Sequence, residues 1–214
     1  MRSRAPVPAG RMWYCRPALR KVSTSRQPAT SNLAAVVSNS LAAVNIAGTK
    51  GVTIGALTFA GATGSVDGSK NTGGINVTLT NSGASDVTVL GGTGADRADF
   101  SAGFAAKDSF NGGDGSDTLA LSNAVATGVV GGTVSNIEVL EISTGGTGTV
   151  DLSKFAGVNT VVYTSTGIGT GNSLVGATVV SKVGATTTVT IDAGTVGNTL
   201  AVTPATDSAA DALT

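Results

Sequence analysis

The chain has 214 residues, of which 31 are glycine and none is histidine, and aromatic residues make up 4%. The absence of histidine excludes a Ser-His-Asp or Cys-His nucleophile pair and an HExxH metal site, so we expect no enzyme activity. The formal net charge of zero hides an asymmetry, because no acid precedes Asp67, whereas thirteen carboxylates and five cations occur from there on, a net charge of −8. Small residues with few aromatics favour a repetitive β structure over an ordinary enzyme core.

The segment 1–31 is basic and contains four prolines. A basic arm can bind nucleic acid or an anionic membrane, but the prolines and the lack of an apolar run predict a disordered leader instead. We therefore expect no nucleic-acid partner; a leader that did bind nucleic acid would lose that affinity on deletion of residues 1–26. No stretch is long and apolar enough for a transmembrane segment, and Cys15, the single cysteine, cannot form an intrachain disulfide.

Residues 32–48 are predicted to form a capping segment. Its apolar residues recur at helical intervals, which favours a short helix that would cover the exposed end of a β structure. They are Leu33, Val36, Val37, Leu41 and Val44. Because several of them are β-branched, a strand is the alternative.

An interval of 21 dominates the spacing of apolar residues after position 49. These residues occur in pairs whose members are two apart and therefore lie on one face of a strand. The pairs at this interval are Val77/Leu79, Ala98/Phe100, Leu119/Leu121, Leu140/Ile142 and Val161/Tyr163, and Leu57/Phe59 precedes the first by 20. Each coil of such a repeat buries its apolar residues by stacking on its neighbours. The interval therefore predicts an all-β fold, a right-handed parallel β-solenoid with about 20–21 residues per coil over residues 49–204.

Two further columns follow nearly the same interval. One is apolar and predicts a second strand in each coil, facing the first. It consists of Val89, Phe110, Val130 and Leu152. The other contains residue types that accept positive φ at low cost, and it predicts a left-handed corner in each coil. It consists of Gly73, Gly94, Gly115, Asn136 and Gly157. After Tyr163 the interval is lost, so we expect re-phased coils there, followed by a C-terminal tail at 205–214.

One column is mostly acidic. It consists of Asp96, Asp117, Glu138 and Asn159. If the coils stack in register, these side chains lie about 4.8 Å apart, and like charges at that distance raise each other's pKa unless something neutralises them. A cation would do so. Glu138 and Asn159 lie where turn glycines are fewer, so capping the column through hydrogen bonds is the alternative for these two.

Two glycine-rich turns, at 91–122, indicate which cation. Their glycines let the backbone turn tightly and expose carbonyl oxygens, and an aspartate adds a carboxylate, so the donors are hard oxygens that suit Ca²⁺ better than zinc or copper. A degenerate copy of the turn at 103–111 makes Asp108 a weaker candidate, on the opposite side of the coil. The predicted calcium ligands are Gly91, Gly92, Gly94, Asp96, Asp108, Gly112, Gly113, Gly115 and Asp117. The alternative is a pair of solvated glycine-aspartate turns that bind no metal. Three other aspartates are expected to be solvated charges and not ligands: Asp86, Asp99 and Asp114.

The turns GGTGADRAD (91–99) and GGDGSDTLA (112–120) resemble the nonapeptide G-G-x-G-x-D-x-U-x of RTX proteins, although Ala98 is smaller than the usual apolar residue. Residues 77–163 as a whole resemble the repeats of secreted bacterial RTX and surface-layer proteins. The resemblance implies a β-roll-like fold, type I export, calcium-triggered folding outside the cell, and an ion held between Asp96 and Asp117. It implies a structural calcium-binding protein of a surface layer, adhesin or matrix, with further copies of itself or a cell-surface polysaccharide as partners. The alternative is the non-catalytic module of a secreted protease or lipase.

Overall fold

The computed structural model describes residues 12–14, 21–23, 30–38, 40–128, 131–142, 148–164, 178–183, 188–192 and 200–204. Within these ranges the chain is a parallel β-solenoid of nineteen short strands in three sheets. The described helical segments are α1 (Asn123–Thr127) and a single 3-10 turn (Leu152–Lys154). The predicted all-β parallel solenoid is therefore confirmed.

The first sheet contains ten strands. In spatial order its strands are β1 (Met12–Tyr14), β4 (Ala35–Val37), β6 (Val52–Thr58), β8 (Ile75–Leu79), β10 (Arg97–Asp99), β12 (Thr118–Leu121), β14 (Val139–Ile142), β16 (Thr160–Thr164) and β18 (Thr188–Asp192), and β3 (Ser31–Leu33) also pairs with β6. The second sheet contains β13 (Thr133–Ser135), β11 (Ser109–Asn111), β9 (Asp86–Leu90), β7 (Thr63–Asn71), β5 (Ala43–Gly48) and β2 (Lys21–Ser23). The third sheet contains β15 (Gly148–Asp151), β17 (Thr178–Val183) and β19 (Leu200–Pro204).

From β8 to β16, the strands of the first sheet pair residues that are 21 apart, which is the interval predicted from the apolar pairs. The central column of these strands is fully buried, and consists of Val77, Ala98, Leu119, Leu140 and Val161. A slip of one residue would turn this column toward solvent, so burial holds the interval constant. The predicted step of 20 from Leu57 to Val77 is wrong, because Leu57 pairs with Leu79 and a bulge follows Ile54 in β6.

The second apolar column is correct only at its start. Val89 pairs with Phe110, but Phe110 pairs with Val134 and not with Val130, because the intervening coil is lengthened by α1. Val130 itself lies outside the described residues, and Leu152 belongs to the 3-10 turn after β15, in the part of the solenoid built on the third sheet. The prediction that these two residues continue the column is therefore wrong.

Both ends of the repeat differ from its centre. The capping helix predicted at 32–48 is wrong, because this segment is occupied by the strands β3, β4 and β5, in line with its β-branched content. In the basic leader, β1 pairs with β4 and β2 pairs with β5. Beyond Tyr163 the coil is longer, because Val161 pairs with Val189 and not with Lys182, which confirms the predicted re-phasing. The tail at 205–214 lies outside the described residues.

The left-handed corner is present in three of the five predicted positions. Gly115, Asn136 and Gly157 have φ of 129°, 53° and 92°. Gly73 and Gly94 do not adopt positive φ, and in the coil of Gly73 the neighbouring Gly74 does so instead, with φ of 85°. The corner column is thus predicted correctly for the later coils, and it is displaced by one residue in one earlier coil.

Asn136 is the one described non-glycine residue with positive φ, and its Nδ2 donates to Asn111 Oδ1 at 2.8 Å. We expect Asn136→Ala to lower the free energy of unfolding by about 1 kcal/mol, because alanine tolerates this conformation poorly. Asn136→Gly loses the same exposed hydrogen bond without the strain, so it should cost clearly less. Urea unfolding of both variants measures the difference. Equal losses in the free energy of unfolding would show that they result from the lost hydrogen bond and not from the positive φ.

Candidate functional site

The predicted acidic column lies at the corner that leads into the first sheet. Asp96, Asp117 and Glu138 each stand one residue before a strand, namely β10, β12 and β14. Because those strands are in register, the three acids follow one another from coil to coil, and Ile75 occupies the same position in the coil before them. We call Asp96, Asp117 and Glu138 the acid ladder.

Each acid of the ladder accepts a hydrogen bond from a backbone N–H of the preceding coil. Asp96 Oδ1 accepts from Ile75 N at 2.6 Å, and Asp117 Oδ1 accepts from Asp96 N at 2.7 Å. Glu138 Oε2 accepts from Asp117 N at 2.8 Å. The carboxylates thus replace the carbonyl acceptors that a continuous strand would provide, and hydrogen bonds to N–H groups offset part of their mutual repulsion.

Burial opposes the ionised form of these acids. The residues Asp96 and Asp117 are 1% and 0% exposed. Burial raises the pKa of Asp96, although the N–H groups of Gly92 and Ile75 act in the opposite direction. Burial raises the pKa of Asp117 to about 6, and the charges of Asp96, Glu138 and Asp114 add to this effect. The hydrogen bonds therefore do not fully compensate for the loss of water.

Asp108 lies apart from the ladder, at the corner that leads into the second sheet. Its Oδ1 accepts from Val87 N at 2.6 Å and its Oδ2 from Ala105 N at 2.7 Å. Burial raises its pKa, while these hydrogen bonds lower it. The residue that follows it in the column is Gly132, one before the start of β13, so no acid is stacked on Asp108 from that side. Of the predicted calcium ligands, the structure thus brings Asp96 and Asp117 together and places Asp108 elsewhere.

The six turn glycines lie where adjacent coils approach most closely. A Cβ on Gly91 would collide with the Gly112 carbonyl oxygen and Asp96 Oδ2, and a Cβ on Gly112 would collide with the Asn136 carbonyl oxygen and Asp117 Oδ2. The remaining four would collide with the backbone of the preceding coil: Gly92, Gly94, Gly113 and Gly115. Glycine is therefore required by the close stacking itself, whether or not an ion is bound.

The oxygen atoms at this corner are of the kind that Ca²⁺ prefers. Asp117 Oδ2 is buried and has no hydrogen-bond partner, and it shares the space beside Gly112 with the Asn136 carbonyl oxygen. One coil earlier, Asp96 Oδ2 shares the space beside Gly91 with the Gly112 carbonyl oxygen, and it accepts from Gly92 N at 2.5 Å. No group of three or more acidic, histidine or cysteine side chains gathers around one point in the described part of the chain. Main-chain carbonyls would therefore have to supply most ligands of an ion here.

One ion-pair network on the outer face of the first sheet was not expected from the sequence. Arg97 donates through Nε and Nη2 to both carboxylate oxygens of Glu141, at 3.0 and 2.8 Å, and contacts Asp99 at 3.2 Å. Arg97 on β10 and Glu141 on β14 lie two coils apart, so the ion pair spans the intervening strand β12, in which Ala120 is fully buried. The register could have revealed this pair, because both residues occupy outward positions of the repeat.

The fold and the acid ladder together define the class of protein: a parallel β-solenoid whose coils are joined along one corner by side-chain carboxylates. Comparisons with protein-family models, with curated proteins and with solved structures found no match. Among the residues that the structure describes, no helix has the length and apolar character needed to cross a membrane.

Proposed function

We propose that this chain is a structural, non-catalytic protein whose solenoid takes up Ca²⁺ at the stacked turns 91–96 and 112–117. The observation that supports this proposal best is the unpartnered Oδ2 atom of Asp117, which is buried beside the Asn136 carbonyl oxygen. A buried carboxylate oxygen without a hydrogen-bond donor destabilises the fold unless a proton or a cation reaches it. Asp96, Asp117 and the neighbouring turn carbonyls are the residues that would hold the ion.

Calcium would supply positive charge to the turns 91–96 and 112–117, which contain no lysine or arginine. The chain from Asp67 onward has five cations for thirteen carboxylates, so the folded solenoid concentrates negative charge. A ligand that binds only the folded state stabilises it in proportion to the logarithm of its concentration. The free energy of unfolding would therefore be small at the low free calcium concentration inside a cell and larger at the millimolar calcium concentration outside. This behaviour suits a secreted protein of a bacterial surface layer, adhesin or matrix, which is the role that we propose.

A calcium titration followed by thermal unfolding tests the proposal. We expect millimolar Ca²⁺ to raise the Tm of the full chain relative to chelator, and Asp117→Asn to abolish most of this increase. Asp114→Asn is the matched control, because Asp114 lies in the same turn, is exposed, and loses the same charge. A Tm that does not respond to calcium in the parent protein, or a response that persists in Asp117→Asn, would contradict the proposed site.

A further inference from the structure

We infer that Glu138 is a positioning residue for the turns 91–96 and 112–117, acting through a one-way relay of backbone contacts. Its carboxylate holds the backbone of Asp117, the carboxylate of Asp117 holds the backbone of Asp96, and that of Asp96 holds Ile75, at 2.8, 2.7 and 2.6 Å. The relay rests on these contacts alone. Its importance for calcium rests in addition on the function proposed above.

The relay begins at Glu138. The next member of the column, Asn159, does not extend it, because its side chain accepts from the Thr160 hydroxyl at 2.9 Å within its own coil. The backbone N–H of Glu138 donates to the Asp117 carbonyl oxygen at 3.2 Å, a main-chain contact. Every later step of the relay, toward Ile75, depends on a carboxylate. A single substitution at Glu138 would therefore affect a series of contacts that joins four successive coils.

Glu138 can affect Asp117 in two ways, through its charge and through its hydrogen bond, and two substitutions distinguish them. Its charge raises the pKa of Asp117, and its Oε2 atom accepts the Asp117 N–H. Glutamine keeps the length and an acceptor oxygen but loses the charge, whereas alanine loses both the acceptor and the charge. A positioning role predicts that Glu138→Gln resembles the parent protein and that Glu138→Ala does not.

Hydrogen exchange of single backbone amides in chelator tests the relay without calcium. In Glu138→Ala we expect the Asp117 amide to exchange about tenfold faster, which is the effect of losing a hydrogen bond worth about 1.4 kcal/mol, with smaller increases at Asp96 and Ile75. The Val87 amide, which Asp108 holds at the other corner, is the internal control and should not change. In Glu138→Gln all four amides should stay within about twofold of the parent.

Three results would overturn the relay: unchanged exchange at Asp117 in Glu138→Ala, an equal increase at Val87, or a Glu138→Gln variant as damaged as Glu138→Ala. Isothermal titration with calcium chloride then tests the link to the ion. We expect the dissociation constant to rise about tenfold in Glu138→Ala and to stay near the parent value in Glu138→Gln. If the parent protein binds no calcium while the amide pattern holds, the proposed function and the positioning role for calcium fail, but the relay stands.

Discussion

Replacing Asp117 by asparagine should stabilise the calcium-free protein, whereas replacing it by alanine should give little or no net gain in stability. Asparagine keeps an oxygen that can accept from Asp96 N, places an N–H donor beside the Asn136 carbonyl oxygen, and removes the buried charge. Because the pKa of Asp117 is raised from 3.8 to about 6, removing this charge is worth at most about 3 kcal/mol at neutral pH. Alanine also removes the charge, but it removes the acceptor as well and leaves the Asp96 N–H unpaired, at a cost of about 1–3 kcal/mol that offsets the gain.

Urea unfolding in chelator at pH 7 measures both effects, and Asp108→Asn provides the control. Both carboxylate oxygens of Asp108 accept from backbone N–H groups. An amide has only one oxygen, so Asp108→Asn must turn its NH₂ group toward a donor and should lose stability. Asparagine is thus expected to have opposite effects at two aspartates that are equally buried. A loss of stability in Asp117→Asn would show that its Oδ2 atom has a partner in solution.

The stability of the calcium-free protein should fall as the pH rises from about 4 to 7. Burial raises the pKa of Asp96, Asp108 and Asp117 above 3.8, so the folded state holds protons more tightly than the unfolded state does. The stabilisation from this proton binding is complete below the unfolded pKa, and it is lost as the pH rises through the folded pKa. For Asp117, whose folded pKa is about 6, the loss is at most about 3 kcal/mol.

Urea midpoints of metal-free protein at pH 4, 5, 6 and 7 test this dependence. Asp117→Asn removes one of the three titrating groups and should flatten the curve, most clearly between pH 5 and 7. A parent protein that becomes more stable over this range would mean that the hydrogen bonds from Ile75, Gly92 and Asp96 outweigh the burial of the carboxylates.

The register of the first sheet was predictable because its cause is local and repeated. Every coil from Val77 to Val161 places a small or medium apolar residue in the same buried position, and this requirement produces a constant interval in the sequence. The interval fails where a coil contains an element with another period. The bulge in β6 and the helix α1 each add residues that are not part of the strand pairing, and periodicity alone does not anticipate either.

The acid column was also predictable, but the partners of its side chains were not. Spacing places Asp96 above Asp117, yet it does not say whether a carboxylate points to solvent, to an ion or to the neighbouring backbone. The direction depends on the corner, where the N–H of Asp96 and that of Ile75 lose their usual carbonyl acceptors. Every residue except proline has the same backbone N–H and C=O groups. The sequence therefore does not indicate which side chain binds a backbone group, unless the side chain belongs to a known turn or cap.

The one-way character of the acid ladder also affects the order of events as the chain is made. Synthesis proceeds from the N-terminus, so the amide of Ile75 leaves the ribosome before the carboxylate of Asp96 that will accept its hydrogen bond. The same delay applies to the amide of Asp96, which waits for Asp117. From Ile75 to Glu138, each nascent coil at this corner is therefore completed only when its successor has been synthesised.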